Sequence, residues 1–552
     1  MTVKSILAAL LLAGAALPSA AQAESILTGV RQTQAWVENF NPFLPTTRVF
    51  STQDFVFEPL VIFNVMQGGK PEFRLATAYT YSDDLKSVTI KLREAVKWSD
   101  GESFDADDLA FTFNLLKQYP QLDLQAVWTQ IEGFEVIDPL TIRFDFKEAS
   151  SGVIYDLVRA YIVPEHIWSK VEDPTTFTNP KPVGSGPMTD IRRFTPQEFM
   201  QCRNPNYWDA ENLHIDCMRF PQLANNDQVL TAAARGELDW FGSFLPDIER
   251  TYVGVDPEHH AYWFPAGSAV MFSLNFETTN EGNREAINDV NFRRAFSMAM
   301  DRQAMVDIAG YGYPTINEYP SGLGAAFDTW NVPELEGEFG EYTRFNLEEA
   351  KAILQQAGYV DTNGDGFIET PSGKPIEFSI LAPSGYTDWV NTSQLAVEGL
   401  TELGINAGLS TLEVPAWTDL LMRGSYDVSI NSIQVGVTPH QMYSLALASR
   451  NIGTNRTAAA HYRNPELDDL LDTFYQTNDK DEQFQIMSGV QRIVAEDLPF
   501  VAVFNNPLWF EYNTKRFTGW FNADNPVGNP MISEGVPERV LHLLSLRPVA
   551  AD

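Results

Sequence analysis

Between Val88 and Phe113 the apolar pattern of the chain switches from a period of two to the period of a helix, with turn chemistry in between. Val88, Ile90 and Leu92 alternate with Thr89, Lys91 and Arg93, as in a half-buried strand. Ser99, Asp100 and Gly101 follow, and Gly101 is free to take positive φ. Asp105 then supplies a helix cap, Asp107 and Asp108 put negative charge in the first turn, and Phe104 is placed to staple onto Leu109. Strand and helix signals alternate in this way along most of the chain. Helices are expected at 105–118, 291–300, 301–309, 346–357, 389–403 and 481–495, and strands at 141–146, 270–275, 376–381 and 500–504. There is no internal repeat and no low-complexity tract. The fold class is therefore α/β, and 552 residues are too many for one core, so two or three domains are expected.

The N-terminus reads as a secretory signal at residues 1–23. Lys4 is its positive region, 6–17 its apolar stretch, and Ala21-Gln22-Ala23 its small-x-small cleavage site, so the mature chain is expected to begin near Glu24. No cysteine lies near that site, which favours a free periplasmic protein over a lipid-anchored one. No later run reaches the roughly 18 apolar residues of a membrane span. The formal charge of −35 would repel nucleic acid and anionic lipid, and a monomer is expected. The two cysteines, Cys202 and Cys217, flank turn-rich sequence between two short strands. In an oxidising compartment they are expected to pair, closing a loop worth about 3 kcal/mol on the chain-entropy model. The alternative is a pair of buried thiols. No His or third Cys completes a metal site.

The stretch VKWSDGESFDADDLAFTF (96–113) resembles the signature of the family 5 extracytoplasmic solute-binding proteins, the peptide, nickel and oligosaccharide receptors of ABC importers. Further pieces occur in the family's order. Phe40-Asn41-Pro42-Phe43 is similar to its N-P motif, Glu58-Pro59-Leu60 follows, and Pro182 to Pro187 resembles its G-T-G-P turn. Arg203 to Trp208 is similar to R-N-P-x-Y-W, and Phe292 to Phe296 with Met300-Asp301-Arg302 resembles the helices opening the second lobe. The resemblance implies a two-lobed type II periplasmic binding protein of the large form, with hinge strands between the lobes. Lobe one would comprise 24–55, an extra subdomain at 56–182, 183–275 and the C-terminal 506–552. Lobe two would be 276–505. A membrane permease is the implied partner.

Enzyme motifs are weak. Gly184-Ser185-Gly186 is no nucleophile elbow, Gly322-Leu323-Gly324 lacks the rest of a dinucleotide fingerprint, and the adjacent His259 and His260 would face opposite ways on a strand. Asp361, Asn363 and Asp365 start like an EF-hand calcium loop, with Gly366 for the sharp turn. Position twelve would be Ser372, leaving Glu369 as the substitute ligand of a structural calcium site, against the reading of a tight acidic turn. No other cofactor is expected.

The aromatic load points to the ligand. Twelve Trp include several beside polar or turn residues, and a Trp face suits the apolar face of a sugar ring. Trp36, Trp240 and Trp389 are the candidate stacking residues, with Trp509 beside them. The peptide-binding members of the family carry an aspartate in a G-W-x-x-D-Y-x-D-P segment that holds the α-amino group. The corresponding stretch here, Tyr426 to Pro439, has no acid after Asp427, and none follows before Glu466. Asn431 and Gln434 offer neutral donors and acceptors instead, as does Asn41. The expected ligand is a short, β-linked oligosaccharide of the cellobiose-type branch, bound and not altered. An oligopeptide receptor of the same fold, or a secreted glycan hydrolase, are the alternatives.

Overall fold

The computed structural model describes residues 24–44, 48–433 and 436–549. The proposed signal segment and Gln434 lie outside them.

Lobe one is built on a four-stranded sheet. Ile26–Thr28 runs parallel to Cys217–Pro221, which pairs antiparallel with Glu198–Arg203 and through it with Met188–Thr195. A bridge from Gly29 to Trp240 continues it into a second sheet, where Glu511–Asn513 lies between Trp240–Phe241 and His260–Tyr262. The C-terminal segment thus returns to lobe one. Arg539 ties it down through a fully buried ion pair to Asp54 (2.8 Å) and through bonds to the carbonyls of Ile532, Phe50 and Gln53. A disulfide joins Cys202 to Cys217 at directly opposed positions of their two strands.

The subdomain carries an antiparallel sheet in the order Ala76–Tyr81, Ser87–Leu92, Thr141–Phe146, Ile131–Asp138. Its helix Ala106–Gln118 begins as the sequence implies. Asp105 Oδ1 accepts from Asp107 N–H, and Asp108 Oδ2 accepts from Asp105 N–H and from the Trp98 indole. Gly101 has φ 99°, which an L side chain adopts only under strain. Val88, Ile90 and Leu92 face inward, into a core continuous with that of lobe one.

Lobe two is a six-stranded mixed sheet in the order Thr315–Ile316, Phe500–Pro507, Ala266–Leu274, Val428–Ser432, Glu377–Pro383, Asn406–Leu412, with helices packed around it. The last three strands are mutually parallel. Ala266–Leu274 pairs along its length inside this sheet, so the strand that the boundary at 275 leaves in lobe one belongs to lobe two. The chain crosses between lobes at 263–267 and 506–510, where Leu508 N–H donates to Pro265 O (2.8 Å) and Trp263 N–H to Phe510 O (2.9 Å). The expected helix at 301–309 forms as a short turn, Arg302–Ala304, running into a π-turn, Met305–Ala309, with Asp301 as its cap.

Candidate ligand-binding cleft

The parallel strands of both lobes end facing the crossing. In lobe two, Ser432 pairs with Val270 near the crossing end of Ala266–Leu274, so Pro383, Leu412 and Ser432 mark one rim. Open α/β sheets bind ligands outside the carboxyl ends of such strands. Asn431 sits here, fully buried. Its amide N–H₂ donates to Arg456 O (3.1 Å), and its Oδ1 accepts from Arg456 Nη1 and from Ser432 N–H. The Arg456 guanidinium lies 5.3 Å from the Trp417 ring centroid. Trp417 donates its indole N–H to Ser429 Oγ (2.9 Å) and packs edge-on to Trp389, which packs edge-on to the exposed Tyr386.

On the lobe-one rim, residues following the strands form a polar knot. Gln32 Nε2 donates to Asn226 Oδ1 (2.7 Å) and Ser243 Oγ (2.5 Å), while Ser243 N–H donates to Glu511 Oε2 (3.1 Å). Glu511 is completely buried, and burial drives its carboxyl well above the usual range. Near the crossing, Trp509 stands edge-on to Phe244, Phe264 and Tyr313. Tyr313 reaches over from lobe two. Its hydroxyl accepts from Ile248 N–H (2.7 Å) and donates to Leu245 O (3.1 Å).

A second seam joins the subdomain to lobe two. Ser151 N–H donates to Tyr475 O, and Ser151 Oγ to Thr477 O (2.8 Å). Beside it opens a cavity of about 930 Å³ with one wall from 124–159 and the other from 436–476. Five side-chain amides line it: Gln125, Gln130, Gln441, Asn451 and Gln476. The rings of Tyr155 and Tyr475, with centroids 5.9 Å apart, are also in its wall. The charges in the lining balance, with Lys147, Arg159 and Arg450 against Glu148, Asp156 and Asp472. His440 is buried there, and burial lowers its ring to about 4, so it is neutral.

The candidate residues read from sequence do not converge on one cage. Trp36 is buried, donates its indole N–H to Phe220 O (3.1 Å) and packs on Phe50 and Phe199. Trp240 is buried, donates to Pro530 O (2.8 Å) and packs against His542 and Trp520. Both belong to the interior of lobe one, with faces and N–H groups already taken. Asn41 is likewise spent on the scaffold. Its N–H₂ donates to the carbonyls of Pro174 and Phe177, and its Oδ1 accepts from Phe43 N–H. Trp389, Asn431 and Trp509 do lie at the two rims. Sequence reasoning missed Tyr386, Trp417, Arg456, Tyr155 and Tyr475. Of these, only Trp417 carried a visible signal, the polar flank of Pro415-Ala416-Trp417.

In the acidic loop, Asp361, Asp365 and Glu369 bring carboxylate oxygens within 4.8 Å of one another. Asp361 accepts from the N–H groups of Gly364 (2.6 Å) and Gly366 (2.9 Å), which hold its carboxyl below the usual range. Glu369 accepts from Thr362 N–H, Thr362 Oγ1 and Asn363 Nδ2. Donors within the loop thus engage oxygens of both Asp361 and Glu369.

The profile of the bacterial extracellular solute-binding proteins, family 5 (middle), matches residues 70–455. The chain belongs to this family. This solute-binding protein is 25% identical, over 88% of its length and 75% of the relative's, to the periplasmic alpha-galactoside-binding protein of Rhizobium meliloti. It is 23% identical to the glutathione-binding protein GsiB of Shigella flexneri, over 82% of this chain and 84% of that one. A mannohexaose-bound periplasmic oligopeptide-binding protein of Thermotoga maritima superposes with a TM-score of 0.85 at 25% identity, over 96% of this chain and 100% of that one. The nonapeptide-bound oligopeptide-binding protein AppA of Bacillus subtilis superposes with a TM-score of 0.74 at 18% identity, over 96% of this chain and 100% of that one, a likeness of fold alone. No helix among the described residues is long and apolar enough to cross a membrane.

Proposed function

We propose that the protein is the periplasmic receptor of an ABC importer, that it traps a short oligosaccharide between its lobes without altering it, and that the closed form delivers it to the permease. The observation that carries this reading is the cavity between the subdomain and lobe two. Its volume lies in the range of small-ligand sites. Amides and hydroxyls both donate and accept, as sugar hydroxyls do, and two tyrosine rings offer faces for the C–H side of a pyranose. The lining holds as many basic as acidic side chains, so it offers no net negative charge to a peptide's ammonium, which needs its own carboxylate partner. The names of the Rhizobium relative and the Thermotoga structure, an alpha-galactoside binder and a mannohexaose complex, support the same class.

The mechanism is closure. Ligand meets one wall, the two crossing strands flex, and contacts from the other lobe complete the cage. A thermal-shift panel of galacto-, manno-, cello- and xylo-oligosaccharides against mixed peptides tests the reading, because a ligand that binds only the folded state raises Tm by mass action. Stabilisation by at least one oligosaccharide, with no shortened product on chromatography, is the expected result. Stabilisation by peptides alone overturns the sugar class, and product release overturns the receptor role.

A further inference from the structure

Arg456 differs from the other arginines that burial pushes below their ordinary pKa. Those are Arg93, Arg293 and Arg302, and each donates at least two hydrogen bonds to backbone carbonyls. Elsewhere buried guanidiniums meet carboxylates, as Arg74 meets Glu58 and Asp209, and Arg539 meets Asp54. Arg456 has neither arrangement. It donates one side-chain hydrogen bond, to Asn431 Oδ1, and no carboxylate lies within salt-bridge reach among the described residues. This is so in a chain with 73 acidic residues against 38 basic ones.

The guanidinium is nevertheless held in place. Asn431 clamps both its Nη1 and its backbone carbonyl, and Trp417 lies beneath it, itself fixed by Ser429. Asn455 caps the turn that carries it, accepting from Thr457 N–H. Two acids of the neighbouring elements are otherwise placed. Glu413 accepts from Ser384 Oγ, and Asp388 is buried, which raises its carboxyl to about 6. A half-buried cation fixed at a cleft rim, with donors to spare and no internal anion, is completed by an anion from outside. A planar guanidinium matches a carboxylate best.

We propose that Arg456 is the docking point for a carboxylate carried by the ligand, and that the captured oligosaccharide is therefore an acidic one, with the carboxylate of a uronic acid residue seated against Arg456, which Asn431 holds in place. The carboxylate assignment stands on the geometry of lobe two; its sugar source rests on the function proposed above.

The test is calorimetric titration of the full chain, wild type, Arg456→Ala and Arg456→Lys, with three ligand pairs. These are oligogalacturonates against neutral galacto-oligosaccharides, aldouronic xylo-oligosaccharides against their neutral forms, and peptides against their C-terminal amides. At least one uronate is expected to bind wild type about tenfold or more tighter than its neutral counterpart, and Arg456→Ala to bring that ratio close to one. Arg456→Lys should restore part of it. Circular dichroism checks the fold, and the lysine variant keeps the test informative if the alanine variant misfolds. Uronate binding unaffected by either substitution overturns the Arg456 site and leaves the oligosaccharide reading standing. So does equal binding of acidic and neutral sugars. An Arg456-dependent preference for peptides over their amides keeps the carboxylate site and overturns the sugar source.

Discussion

Gly152 of the subdomain lies against the Tyr475 ring of lobe two so closely that a Cβ added there would stand 2.4 Å from the ring carbons. The approach brings Ser151 within hydrogen-bonding reach of the Tyr475 and Thr477 carbonyls, at one edge of the cavity.

A side chain at this point should act as a wedge between the lobes. Gly152 has φ −96°, which any residue adopts, so Gly152→Val is expected to spare the subdomain's own fold and oppose closure. Ligand affinity should fall about tenfold, with Tm of the unliganded protein shifted little. Calorimetry paired with small-angle scattering reads both, and unchanged affinity would show that the seam plays no part in closing.

Cys202 and Cys217 close a loop of sequence separation 15 in lobe one. Replacing both with serine, or reducing the bond, is expected to destabilise the protein by about 3 kcal/mol, on the loop-entropy model. Denaturant unfolding with and without reductant measures it. An unchanged midpoint would mean that reduction leaves the unfolded chain no freer.

Glu538 is buried, and burial, with Asp54 nearby, raises its carboxyl from 4.5 to about 7. A raised acid stabilises the fold fully below its unfolded pKa, and that contribution is lost as pH rises through the folded one. Glu538→Gln keeps an oxygen for Val65 N–H and cannot ionise. The variant should therefore gain on wild type between pH 5 and pH 8, by roughly 1–3 kcal/mol. Paired unfolding curves at the two pH values check this, and a constant difference would contradict it.

The acidic loop is expected to hold its shape without calcium, since Asp361 and Glu369 already accept five hydrogen bonds from within the loop. Thermal unfolding in calcium and in EDTA should coincide. A calcium-dependent rise in Tm would assign the cluster to the ion.

What was legible in the sequence was local. Asp105 caps its helix and Gly101 turns the chain because the residues they need lie within a few positions. The Tyr426–Pro439 stretch led to Asn431 at the rim because its meaning was a missing charge. Trp36 and Trp240 misled because their polar sequence neighbours suggested loops, while their burial is fixed by the carbonyls of Phe220 and Pro530, 184 and 290 residues away. Arg456 was invisible for the same reason. A lone arginine acquires significance only when Asn431 and Trp417 converge on it and no acid does.

Isothermal titration calorimetry of the protein with galacto- and manno-oligosaccharides, neutral and uronate-containing, beside a matched peptide set, tests the central claim most directly. Saturable one-to-one binding of an oligosaccharide, with peptides inert, is the predicted result. Binding confined to peptides, with every oligosaccharide inert, would contradict it.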